Sequence, residues 1–230
     1  MTTTLITGAN KGLGHEAARR LIAAGHDVWM TARDPERGAR AAEELGARFV
    51  QLDVTDDASV QTAADTVAGD TGLDVLVNNA GITGARSEVP DTTPDELRDT
   101  YETNVFGVVR VIRAFTPLLA RSNAPIVVNV SSGMGSLAVT TDPDRLESKL
   151  VGLSYPSSKS ALNMLTSQYA KTYPEWRINV VDPGYTATDL NGRSGHQTVQ
   201  EGTDAIVEAA TLGPDGPTGT FFNREGAVAW

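Results

Sequence analysis

Short, almost unbroken apolar runs alternate along the chain with stretches whose apolar residues recur every three or four positions. Residues 3–7 (TTLIT), 27–32 (DVWMTA), 48–52 (RFVQL), 73–77 (LDVLV), 125–130 (PIVVNV) and 178–181 predict strands, and 220–222 an edge strand. Between them, residues 13–24 carry Leu13, Ala17, Leu21 and Ile22 on one stripe closed by Gly25, and 35–45, 56–68, 156–172 and 199–211 predict further helices. Thr93, Pro94 and Glu96 form a capping box with proline at the first helical position, which predicts one long helix running to about Leu119. Strands that are apolar on both faces and separated by helices make a parallel sheet covered on both sides. Right-handed crossovers then give an α/β fold: a single-domain, doubly wound parallel sheet, a Rossmann-type three-layer sandwich spanning residues 1–230. Ligands collect at the carboxyl ends of the strands in such a sheet. Chemistry is therefore expected from the loops at 8–14, 32–34, 78–84, 131–136 and 182–190.

Composition narrows the partners. The 230 residues suffice for one sizeable core, and 40% hydrophobic with 21% charged residues fit an ordinary globular protein. A net charge of −10 argues against nucleic acid or an anionic membrane as partner. The absence of cysteine excludes disulfides and thiolate metal sites, and His15, His26 and His196 are too scattered for a ligand set, so no metal is expected. No apolar run reaches the length of a membrane span, and the N-terminus enters a strand directly without a signal peptide. Cytoplasmic location is the expectation.

Two local motifs stand out. In TGANKGLG, Gly8, Gly12 and Gly14 lie between a strand and a helix, where backbone can approach a pyrophosphate at the helix N-terminus. The spacing is G-x-x-x-G-x-G rather than G-x-G-x-x-G. In SYPSSKSALN, Tyr155 precedes Lys159 by one helical turn, so both side chains can point the same way.

With these motifs stand N-N-A-G at Asn78–Gly81, T-N-V-F-G at Thr103–Gly107, V-N-V-S-S at Val128–Ser132 and P-G-Y-T-A-T at Pro183–Thr188. Together and in this order they make the chain resemble a classical short-chain dehydrogenase/reductase, specifically the carbonyl-reductase-like branch, over essentially its whole length. The resemblance implies hydride transfer between a nicotinamide and the carbonyl or alcohol of a small molecule, with Ser132, Tyr155, Lys159 and Asn104 as the catalytic set. Tyr155 would be the acid–base. Lowering its pKa from ~10 to ~7 takes about 4 kcal/mol, and an ammonium ~5 Å away supplies roughly 3 kcal/mol at an effective dielectric of ~20. Ser132 would face the substrate oxygen, and Asn104 would orient a water beside Lys159. An asparagine within a helix can equally bend it or bind backbone.

The same resemblance assigns cofactor contacts to Gly8, Asn10, Lys11, Gly12, Leu13 and Gly14, to Asn79, Ala80 and Gly81 beside the adenosine ribose, and to Asp53 and Val54 beside the adenine. Asn79–Gly81 can also be a plain turn, and Asp53 a helix cap. Pro183, Gly184, Thr186 and Thr188 would line the nicotinamide carboxamide, with Tyr155 and Lys159 touching its ribose. Dinucleotide folds that take NAD place an acidic residue after the second strand; here Arg33 stands near that position and Lys11 precedes the second glycine. A guanidinium fork and an ammonium suit a 2′-phosphate, so NADP(H) is favoured over NAD(H).

Ser132 and Tyr155 are 23 positions apart, about ten more than the family's ordinary spacing. The insertion at about 137–153 is expected to form a short helix from Pro143, with Leu146, Leu150 and Leu153 on one stripe. It would lie near the faces ordinary members use to associate, so a monomer is favoured and a homo-oligomer is the alternative. Loop 189–200 is glycine-rich and is expected to form a small, open, mobile substrate lid. Ile82, Met134, Leu153 and Tyr185, with Leu137, are the candidate pocket, which suits an apolar or aromatic substrate. Other readings on this fold are a non-catalytic dinucleotide-sensing protein, disfavoured because both Tyr155 and Lys159 are present, and sugar-nucleotide chemistry, disfavoured by the short C-terminal part.

Overall fold

A computed structural model describes every residue from Met1 to Trp230 except Thr71 and Arg86. In chain order it comprises β1 (Thr3–Ile6), α1 (Gly12–Ala23), β2 (Asp27–Ala32), α2 (Pro35–Leu45), β3 (Arg48–Gln51), α3 (Asp57–Ala68), β4 (Val75–Asn78) and α4 (Pro94–Tyr101). Then follow α5 (Gly107–Leu119), β5 (Ile126–Val130), α6 (Leu137–Thr141), α7 (Ser154–Thr172), β6 (Arg177–Val181), α8 (Val199–Gly202), α9 (Asp204–Ala210), β7 (Phe221–Asn223) and β8 (Gly226–Ala227).

The sheet order is β3-β2-β1-β4-β5-β6-β7-β8. Strands β1 to β7 pair in parallel, and β8 adds antiparallel to β7. Alternation along each strand divides the core in two. Leu5, Leu76 and Val127 face one way, into a cluster with Val60, Val67, Ile112, Phe115 and Leu162 of α3, α5 and α7. Ile6, Val75, Val77, Ile126 and Val128 face the other, against Ala17, Leu21, Ala41 and Ile206 of α1, α2 and α9. Strand order reverses at β1 and β4, and the crevice beyond their carboxyl ends is where this architecture binds ligands.

Three helical expectations are corrected. The long helix after Pro94 is not continuous: Glu102–Phe106 form a π-helical turn between α4 and α5. The helix over 199–211 is two helices meeting at Thr203. In the insertion, Asp142 accepts the N–H of Asp144 at 3.0 Å, turning the chain around Pro143 instead of capping a helix. The helix that does form there, α6, starts earlier and is capped by Ser136 accepting from Val139 at 3.0 Å. Only a 3₁₀ turn follows, at Glu147–Lys149, and Leu146, Leu150 and Leu153 stay exposed.

Phe115 is fully buried at the centre of the α5 face. Phe115→Ala is expected to cost about 3–5 kcal/mol, seen as a lower urea midpoint at an unchanged slope.

Candidate active site

The rim is assembled from the loops that follow β1, β4, β5 and β6. After β1, Gly8 and Gly12 take left-handed φ values of +65° and +57°, which glycine adopts without strain. A Cβ on Gly14 would lie 2.5 Å from Asn79 Nδ2 and 2.7 Å from the Gly8 carbonyl, so no other residue fits. The Asn79 amide donates to the carbonyls of Thr7 and Gly8 at 2.9 and 3.0 Å, while the Thr7 hydroxyl accepts the N–H groups of Asn79 and Ala80, both at 3.0 Å. The N-N-A-G turn is thus a clamp on the glycine loop. Ala80 packs directly on Gly8. Helix α1 begins after Lys11 with no side-chain cap and no acidic residue in its first turn, which leaves its N-terminus open to an anion. Asn10 and Leu13 are half-buried beside it.

The other cofactor candidates fall on the same rim with differing commitments. Arg33 is exposed just beyond β2; its carbonyl takes a bond from Gln51, and its guanidinium has no ion-pair partner among the described residues. Lys11 instead pairs with Asp189 at 3.2 Å, across from the glycine loop. Asp53 accepts from both the N–H and the hydroxyl of Thr55, and Val54 is buried against Gly107. Beyond β6, the Thr186 hydroxyl donates to the Pro183 carbonyl at 2.9 Å, and Gly184 has φ +68°. Thr188 comes within van der Waals reach of the space beside Gly12, closing the strip onto the glycine loop.

The four expected catalytic residues converge. Ser132 opens a 3₁₀ turn at Gly133–Gly135; its hydroxyl accepts from Met134 N–H at 3.2 Å and lies on the side of the Tyr155 phenol. That turn is locked to α7. A Cβ on Gly135 would sit 2.8 Å from the Lys159 backbone, and the Gly135 carbonyl accepts from Ser160 and Asn163 at 2.9 and 3.1 Å. Lys159, one turn after Tyr155, donates to the Val130 carbonyl at 2.8 Å and lies 5.6 Å from the Tyr155 ring centroid. Asn104, buried in the π turn, grips Ile82 twice, accepting its N–H and donating to its carbonyl at 2.9 Å each. It also donates to Ser158 at 3.0 Å. Gly81 lies against both Asn104 and Lys159. Ser158 and the Val130 carbonyl were not singled out in the sequence, which has no pattern for either.

Electrostatically, burial dominates. It pushes the Tyr155 phenol up to about 12, with the nearby Ser132 hydroxyl opposing and the Asp182 charge adding to the rise. It pushes the Lys159 ammonium down to about 8. Lys159 was expected to supply most of the lowering of the phenol, and here burial outweighs it: both groups lie in a poorly solvated place, and the ammonium is bound to a carbonyl.

Met134 and Ile82 are half-buried at the rim, while Leu153, Tyr185 and Leu137 are exposed beside it. Loop 189–200, expected to be open, is stitched to the segment before it. Ala187 donates to Gln197 at 2.9 Å, Gln197 donates back to Tyr185 at 3.1 Å, and the Tyr185 hydroxyl is bonded to Ser194 at 2.5 Å. Gly195 serves close approach, since a Cβ there would strike the backbone of residues 185–187 within 2.5 Å, whereas Gly192 has open space around it and takes a left-handed φ of +64°. A separate cavity of about 260 Å³ lies between the insertion and the loop after β6; Tyr185 borders it, but Ser132, Tyr155 and Lys159 do not. Among the described residues no cluster could hold a metal ion, and no helix is long and apolar enough to cross a membrane.

The short chain dehydrogenase family model matches residues 2–198. A (+)-neomenthol dehydrogenase of Capsicum annuum is 32% identical over an alignment covering 96% of this chain and 95% of the relative. That alignment spans 298 positions, so the relative carries segments this chain lacks. The structure of salutaridine reductase from Papaver somniferum superposes with a TM-score of 0.85 at 29% identity, covering 97% of this chain and 100% of the other. A gluconate 5-dehydrogenase from Burkholderia cenocepacia, in complex with NADP and tartrate, superposes with a TM-score of 0.81 at 26% identity, covering 96% and 92%.

A lysine whose folded pKa lies near 8, against 10.5 when free, binds its proton less well folded than unfolded. The resulting penalty is complete below about pH 8 and fades as pH rises toward 10.5. Lys159→Met, which leaves only the Val130 carbonyl without its donor, is expected to stabilise the fold by about 1–3 kcal/mol at neutral pH. Denaturant unfolding at a series of pH values should show this gain shrinking above pH 8, with activity lost throughout.

Proposed function

The chain belongs to the short chain dehydrogenase family, and we propose that it is an NADPH-dependent carbonyl reductase or the corresponding alcohol dehydrogenase, of the carbonyl-reductase-like branch, acting on a small apolar or aromatic substrate. The observation that carries the reading is the Tyr155 phenol, with Ser132 beside it, its ring centroid set one turn and 5.6 Å from the buried ammonium of Lys159. A bound nicotinamide dinucleotide supplies or accepts the hydride. The open N-terminus of α1 and the glycine backbone at 8–14 hold its pyrophosphate, and the strip from Pro183 to Thr188 holds its amide end. Tyr155 retains its proton at neutral pH, the form needed to protonate a carbonyl oxygen during reduction. Ser132 donates to that oxygen as charge develops on it. Lys159 has donors left beyond its bond to Val130, enough to bind ribose hydroxyls and to favour the phenolate once the proton has left.

The guanidinium of Arg33, without an ion-pair partner among the described residues, supports a 2′-phosphate, as does the NADP in the gluconate 5-dehydrogenase complex. Lys11 reaches such a phosphate only by releasing Asp189. Exposed Leu137, Leu153 and Tyr185 at the mouth support an apolar substrate, and so do the relatives named for neomenthol and salutaridine. The reading includes a cytoplasmic monomer.

Following NADPH absorbance against a panel of aldehydes, ketones, quinones and steroids tests the reading; no consumption with any of them rejects it. Tyr155→Phe should lower kcat by about 10²- to 10⁴-fold with nucleotide binding kept. Arg33→Asp should move the kcat/KM preference from NADPH toward NADH, and an unchanged ratio would remove Arg33 from the site.

A further inference from the structure

One buried charge near the reacting groups has no part in the chemistry above. Asp182 ends the run of β6, is 5% exposed, and stands immediately before Pro183–Gly184. Its carboxylate accepts the Gly184 N–H at 2.9 Å, and its Oδ2 lies against Gly133, 3.3 Å from where a Cβ on that residue would stand. Gly133 is the residue after Ser132, and Gly184 belongs to the strip assigned to the nicotinamide. One side chain therefore joins the two loops whose separation fixes where hydride and proton are delivered.

A third element meets the same point. A Cβ on Gly133 would lie 2.9 Å from Glu147 Oε1 and 3.3 Å from Asp182 Oδ2, so the insertion's 3₁₀ turn is seated on this junction. The groups facing Asp182 are Glu147 and Arg145 from the insertion and Tyr155 from α7, with Arg224 and Glu225 on the wall of the same cavity. The carboxylate is almost wholly enclosed, so losing its bond to Gly184 would leave a buried charge without that donor.

We infer that Asp182 is a positioning residue: its carboxylate ties the Ser132–Gly133 turn to the Pro183–Gly184 strip and so holds the serine hydroxyl and the phenol in register with the bound nicotinamide. This rests on the oxidoreductase reading above. An amide can still accept the Gly184 N–H, but it loses the charge and can present a donor to the backbone of Gly133 in place of an acceptor. The negative charge also raises the pKa of Tyr155, so its removal lets the phenolate form at lower pH.

The test compares wild type with Asp182→Asn and Asp182→Glu. Each is assayed by steady-state NADPH oxidation and by ultraviolet titration of tyrosine ionisation, with Tyr155→Phe subtracted to isolate one phenol. In Asp182→Asn, kcat is expected to fall about 10- to 100-fold with little change in KM for nucleotide. The Tyr155 titration and the alkaline limb of reduction both move to lower pH. Asp182→Glu, which keeps the charge but not the reach, should leave the titration near that of wild type while kcat still falls about tenfold. Folded variants with wild-type kcat, or an Asp182→Asn protein in which Tyr155 titrates unchanged, overturn the inference. The titration is independent of turnover, so an inactive wild type would reject the carbonyl-reductase reading while the effect of Asp182 on the phenol was still measured.

Discussion

An ammonium with almost no access to water needs acceptors supplied by the fold, and the 2.8 Å bond from Lys159 to the Val130 carbonyl is that supply. It fastens α7 to the last residue of β5, and its consequences spread outward. With α7 fixed there, Tyr155 is held one turn back at the rim, and Ser132, two residues beyond Val130, arrives opposite the phenol. The contact of Gly135 with the Lys159 backbone and the bonds from Ser160 and Asn163 secure the same junction from the other side. A cation in such a place opposes folding, and its retention is a local sacrifice of stability of the kind that reactive sites show.

The sheet supplies the second half of the geometry. Parallel strands deliver every loop of interest to one edge, and the reversal at β1 and β4 opens a crevice there. The glycine loop in that crevice is no free coil, since Thr7 and Asn79 bind its carbonyls and its flanking turn. A side chain expected to line a ribose thus has a prior structural duty, which explains a polar residue in a turn that must not move. Prepared donors are worth more than donors that must be ordered on binding.

The strands and the surrounding helices were legible because a doubly buried sheet demands apolar runs, and those are visible in one dimension. That Ser132, Tyr155 and Lys159 act together was implied by the family resemblance; the residue pattern by itself gave only a tyrosine and a lysine one helical turn apart near the rim. What escaped depends on hydrogen bonds and burial that the spacing of apolar residues does not encode. The turn around Pro143 is decided by the Asp142 carboxylate choosing the N–H of Asp144, a local competition that the leucine spacing did not reveal. The tightness of loop 189–200 comes from backbone pairing of Ala187 and Gln197, where its glycines suggested laxity. Strand β8, two residues long, has no pattern to read. The phenol's high pKa also could not be foreseen, because burial is a property of the folded whole.

The five-residue π turn at Glu102–Phe106 has a further meaning. Each helical residue advances the direction of its side chain by about 100°, so one surplus residue shifts the phase of all that follows. Here the shift lets Asn104 look inward while Val108, Val111, Ile112 and Phe115 of α5 still face the sheet. Shortening this turn by a single residue would restore ordinary winding and force a choice between the two orientations. The helix would either swing its asparagine away from Ile82 or rotate its apolar flank toward water, so the length of this segment is as constrained as its composition.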